Sequence, residues 1–99
     1  MLKSLGFLEV EGIAAAVVGC DAMVKSAYVE LVTVKADGDG HLQVIVCGDL
    51  ASVKEALVFG TEAASRIGQV VAAKAIARPY EGLERLIGPW EGSGMDGEG

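Results

Sequence analysis

Residues 28–47, YVELVTVKADGDGHLQVIVC, hold two alternating, β-branched runs on either side of Asp37-Gly38-Asp39-Gly40. Tyr28 to Lys35 reads as one strand and Leu42 to Cys47 as the next, with Leu42, Val44 and Val46 sharing a face. Asp-Gly between two such runs is a strong short-range hairpin signal. A two-residue turn needs only one Asp-Gly. This chain places two in succession and follows them with its single histidine, His41.

Working outward from the hairpin, residues 4–10 alternate loosely and stop at Glu11-Gly12, which predicts a strand and a break. From Ile13 to Ser26 apolar or small residues recur at helical spacing. Ile13, Ala16, Val17, Cys20 and Val24 are the expected buried side, and Lys25 lies in the last turn, where a cation complements the helix dipole. On the other side of the hairpin, Asp49 stands as an N-cap before Leu50, Val53, Leu57, Ala64 and Ile67. This spacing predicts an amphipathic helix to about Arg66, with Gly68 as its stop. Residues 69–77 form a fourth strand that Pro79 ends, since proline cannot donate to a ladder. A short helix is expected over about residues 81–87, ahead of Gly88-Pro89. Residues 89–99 form an acidic, Gly-rich tail expected to be mobile, apart from a docking of Trp90.

The order strand, helix, strand, strand, helix, strand divides into two halves of similar length. It predicts an α/β (α+β) domain of the ferredoxin-like, split β-α-β kind over residues 1–88. Its four-stranded antiparallel sheet carries both long helices on one face, with the short C-terminal helix added. The other face of the sheet is left bare, and thin domains of this sort complete their burial by assembly.

Composition narrows the class. Ninety-nine residues make one domain, and 52% of them are apolar, yet there are only two Phe, two Tyr and one Trp. The core is therefore built from Ala and Val, whose small side chains let helices sit close to a sheet. A net charge of −6 argues against nucleic acid, whose phosphates need Lys and Arg. No stretch approaches the roughly 18 apolar residues of a membrane span. The N-terminus, with Lys3 but no continuous apolar segment, does not read as a signal peptide, so the chain is expected to be cytosolic. Cys20 and Cys47 lie in different elements without Cys-x-x-Cys spacing, and they read as buried or interface thiols.

Catalysis finds little support. The lone histidine has no serine or cysteine placed beside it, and it reads as a solvated strand-end residue. The glycines of Asp37-Gly38-Asp39-Gly40 would bare N–H groups to an anion, but the flanking carboxylates repel phosphate. The same run brushes against the calcium-loop pattern, yet valines stand near the place where that loop needs a bidentate Glu. Accordingly, no catalytic residue, metal or cofactor is expected.

Four motifs carry a resemblance. LGFLEVEG (5–12), DAMVKSAYVELV (21–32), VIVCGDLASVKEAL (44–57) and ARPYEGLE (77–84) together closely resemble the bacterial microcompartment shell proteins of the single-domain hexameric class, over residues 4 to about 88. That resemblance implies a cyclic homohexamer tiling edge to edge into a protein sheet around an enzyme-filled compartment in the bacterial cytoplasm. Its implied partners are other shell hexamers and paralogues, pentameric vertex proteins and encapsulated enzymes. It also implies that Lys25 packs against its counterpart at the hexamer edge and that Arg78 and Pro79 reach across the same edge. Tyr80 replaces the histidine usual in the family at that edge.

In such proteins the loop between the second and third strands lines a central pore. Its counterpart is Ala36-Asp37-Gly38-Asp39-Gly40, which places Asp39 where a serine commonly points into the opening. Six symmetry-related carboxylates there would favour cations and polar neutral species over anions. Asp37 either adds a second ring or faces solvent, and His41 becomes a bystander at the rim. Neither cysteine falls in the loop, so no iron–sulfur cluster is expected. The alternative reading is a small oligomeric ferredoxin-like regulatory module, with Asp37, Asp39 and His41 binding a metal or ligand at a subunit junction.

Overall fold

The computed structural model describes residues 3–77. The elements run β1 (Ser4–Glu11), α1 (Ile13–Ser26), β2 (Glu30–Ala36), β3 (His41–Gly48), α2 (Leu50–Ser65) and β4 (Val70–Ile76). The strands form one sheet in the order β2-β3-β1-β4, antiparallel throughout. This is the expected split β-α-β arrangement. The short C-terminal helix, the docking of Trp90 and the tail lie outside the described residues.

β1 is central and sets the layering. Ser4, Gly6, Leu8 and Val10 are buried in strict alternation. A Cβ on Gly6 would meet Val53 of α2 at 2.8 Å, while Leu8 lies against Gly19 of α1 and Gly60 of α2. Both helices therefore rest on the same face of the sheet. Val44 and Val46 of β3 face the same way and are fully buried, as expected; Leu42 is half-buried. On the opposite face Phe7 pairs with Ile45 across β1 and β3, and the Lys74 ammonium lies 5.9 Å from the Phe7 ring centre.

The buried side of α1 differs from the hydropathy-based expectation. Ala15, Ala16, Gly19 and Met23 face the core, while Ile13 is 70% exposed and Val17 61% exposed. The reason is helix–helix distance. A Cβ on Gly60 would stand 2.5 Å from Met23, and one on Gly19 only 3.3 Å from Ala64 and 3.5 Å from the Gly60 carbonyl. Small residues at Ala15, Ala16 and Gly19 permit so close an approach, Met23 fits because Gly60 opposite it has no side chain, and Ile13, Val17 and Val24 are turned away. They form, with Val34 and Leu42, an open apolar groove of about 480 Å³ between α1 and β2. On α2, similarly, Ala56 and Gly60 join Val53, Leu57 and Ala64 inside, whereas Ile67 lies beyond the helix and is exposed.

β2 begins at Glu30 instead of Tyr28. The Val29 N–H donates to the Ala27 carbonyl and bends the chain, which leaves Tyr28 almost fully exposed. A register shift between Leu31 and Thr33 also leaves Val32 exposed in this edge strand.

The start of α2 is made as the sequence predicts. Asp49 accepts the Ser52 N–H at 2.9 Å and the Ser52 hydroxyl at 3.0 Å. These bonds, the backbone N–H first, hold the Asp49 carboxyl below the usual carboxylate range. A depressed folded pKa means the charged cap stabilises fully above the ordinary carboxylate range and is lost as pH falls through the depressed value. Asp49→Ala is expected to lower the thermal midpoint at neutral pH and Asp49→Asn to keep most of it. The gap between wild type and Asp49→Asn should close in acid, as melts across pH would measure.

Candidate functional site

The hairpin connecting β2 and β3 is closed by the Asp37 N–H donating to the His41 carbonyl at 3.1 Å. Within it, Asp37 Oδ1 accepts the N–H of Asp39 at 2.8 Å and that of His41 at 3.2 Å. The first of these bonds, more than any other influence, holds the Asp37 carboxyl below its ordinary range. Gly38 and Gly40 sit at φ +87° and +88°. Neither would crowd a neighbour with an added Cβ, so backbone conformation alone requires glycine here.

A further bond ties the hairpin to the rest of the domain. The Gly12 N–H donates to the Gly40 carbonyl at 3.0 Å, pinning the tip beside the β1–α1 junction. Three of the four residues are thereby explained locally: Asp37 organises the loop, and Gly38 and Gly40 supply its two left-handed residues. Asp39 is different. Its side chain is exposed and makes no hydrogen bond or ion pair among the described residues.

His41 is half-buried and surrounded by acid. Its Nδ1 lies 3.3 Å from Asp37 Oδ2 and 3.7 Å from Glu9 Oε2, and its Nε2 lies 3.5 Å from Glu11 Oε2. The two glutamates come from β1, whose ladder with β3 sets Glu11 opposite His41. Asp39, grouped with Asp37 and His41 by proximity in sequence, is not part of the cluster; Glu9 and Glu11 take its place. The only local hint was a pair of glutamates closing an otherwise apolar strand. Among the described residues every ion-pair partner of the imidazole is a carboxylate, and no hydroxyl or thiol approaches it as a nucleophile would.

Lys25, at the end of α1, is largely exposed and pairs with Asp21 one turn earlier at 3.2 Å. Such a pair is weak in water, so the ammonium remains available for other contacts. Arg78, Pro79 and Tyr80 lie outside the described residues. Cys20 and Cys47 are free, half-buried thiols. Burial, and then the charge of Asp21, push the Cys20 thiol up, which disfavours the reactive thiolate. No helix among the described residues is long and apolar enough to cross a membrane.

Residues 4–79 match the BMC domain family. The chain is 46% identical over 88 residues to the bacterial microcompartment shell protein EutK of Salmonella typhimurium, a match covering 89% of this chain and 54% of EutK. It therefore spans only about half of that relative's length. It is 42% identical over 85 residues to the bacterial microcompartment shell protein PduA of Citrobacter freundii, covering 86% of this chain and 91% of PduA. Among solved structures it resembles a crystal structure of a microcompartment protein from Desulfitobacterium hafniense. There the TM-score is 0.73 at 30% identity, over 82% of this chain and 44% of the other.

Proposed function

The chain belongs to the BMC domain family, and from that premise we propose that it is a structural protein of a bacterial microcompartment shell in the cytoplasm, with no catalytic role. In this reading residues 1–88 form the tile and 89–99 a tail. Six copies close into a ring with the loop Asp37-Gly38-Asp39-Gly40 around a central pore. Rings meet one another, and related shell proteins, along edges carrying Lys25, Arg78, Pro79 and Tyr80.

The observation that carries the proposal is the family match itself, which spans both the hairpin loop and Lys25. Two structural features support it. Ile13, Val17 and Val24 of α1 and Val34 of the edge strand β2 line one open apolar groove, and Leu31 and Val32 of the same strand are exposed as well, as on a surface awaiting another copy. The exposed Asp39 carboxylate, carried on a loop pinned to Gly12, suits a group presented to an opening.

Size measurement followed by electron microscopy of the purified protein tests the reading. Hexamers that form sheets or tubes are expected, whereas a monomer or a discrete oligomer that never tiles would defeat it. Lys25→Ala separates the two levels of assembly. It is expected to leave hexamers intact on a sizing column while sheets disappear, and undiminished sheets would remove Lys25 from the edge.

A further inference from the structure

The pore reading makes no use of His41, Glu9 and Glu11, yet their arrangement is demanding. A neutral imidazole has one N–H and one lone pair. With carboxylate oxygens facing both ring nitrogens, it donates on one side and directs a lone pair at negative oxygens on the other. A cation on that second nitrogen, a proton or a metal ion, resolves the conflict.

The two sides of the ring are not equivalent. On the Nδ1 side stand two carboxylates, and the ligand atoms of Glu9, Asp37 and His41 all lie within 4.8 Å of one another. Donors held at about 2 Å from a single zinc ion stand roughly 3–4 Å apart, so only small side-chain adjustments are needed. Asp37 is already oriented: its Oδ1 is engaged by two backbone N–H groups, which leaves Oδ2 toward the imidazole. On the Nε2 side stands one carboxylate, Glu11, placed to accept the N–H of a ring whose other nitrogen binds metal. A carboxylate behind a ligating histidine is the usual way of setting its tautomer and orientation.

We propose that Glu9, Asp37 and His41 form a binding site for a zinc-like divalent transition-metal ion, seated on His41 Nδ1, with Glu11 orienting the ring through Nε2. One imidazole and two carboxylates suit zinc, cobalt or nickel; calcium and magnesium prefer oxygen alone. Three protein ligands leave a coordination position for water. The site lies within one chain, so it stands whether or not the ring of six forms. Because Asp37 belongs to the hairpin loop, the ion would brace the segment that presents Asp39.

Calorimetric titration of the chelator-treated full-length protein with zinc chloride tests the proposal, alongside cobalt(II) absorption spectra. Saturable binding of one ion per chain is expected, with calcium at least tenfold weaker. His41→Gln and Asp37→Asn should each weaken zinc at least tenfold, and Glu11→Gln should weaken it roughly tenfold while keeping the stoichiometry. Asp39→Asn should leave it unchanged. Circular dichroism of each variant separates lost binding from lost folding, and Glu9→Gln provides a second ligand variant at a strand position. The proposal fails if zinc does not saturate, if His41→Gln binds as well as wild type, or if calcium binds equally. It also fails if one ion binds per six chains and is lost in Asp39→Asn, which would assign the metal to the Asp39 ring.

Discussion

Leu8→Ala is expected to lower the thermal midpoint of the domain by at least about 10 °C. Leu8 is fully buried in the central strand, and its side chain lies against Gly19 and Gly60 at the point where α1, α2 and the sheet converge. Truncation there removes apolar surface shared by three elements and leaves a cavity. Gly19 and Gly60 carry no side chains that could move in to fill it. Buried Leu→Ala changes cost about 2–5 kcal/mol, a large part of the roughly 5–15 kcal/mol that holds a typical domain folded. Calorimetry or circular dichroism at fixed protein concentration measures the shift, since assembly adds concentration-dependent stability. A shift below about 3 °C would mean that Leu8 is not the keystone its contacts make it. Gly60→Val should destabilise from the opposite direction, because a Cβ there already meets Met23 at 2.5 Å.

In the ring proposed above, with Asp39 at its pore, Asp39→Lys is expected to invert charge preference and Asp39→Ser to abolish it. A carboxylate about 8 Å from an ion on the axis contributes about 0.5 kcal/mol in a water-like dielectric. Six of them, screened over a Debye length of about 8 Å, still leave about 1 kcal/mol for a monovalent ion. The sign reverses for an anion, so the two differ by at least tenfold in occupancy of the constriction. Conductance of reconstituted pores, or uptake of matched cationic and anionic dyes by assembled shells, reads that ratio. If Asp39→Lys discriminates as wild type does, the selectivity lies elsewhere.

The hairpin and the Asp49 cap were legible because the groups concerned are near neighbours in the chain. Asp37 bonds the N–H groups of residues 39 and 41, and Asp49 bonds Ser52. The buried face of α1 was not legible in the same way. Hydropathy favours turning Ile13 and Val17 inward, whereas close contact with α2 selects Ala15, Ala16, Gly19 and Met23. Nor did the chain order indicate that His41 would meet Glu9 and Glu11, about thirty residues earlier, in place of nearby Asp39.

By itself, then, the sequence determined the order of the six elements, the antiparallel split β-α-β layout and, through four motifs in order, the family. The elements and their layout rest on alternation, capping and turn chemistry, all of which act over a few residues, and the family rests on the resemblance of the motifs. The tertiary structure alone decided which side of α1 is buried and which carboxylates surround the histidine. Both depend on contacts between distant segments: how near two helices can come at Gly19 and Gly60, and the ladder that sets Glu11 across from His41.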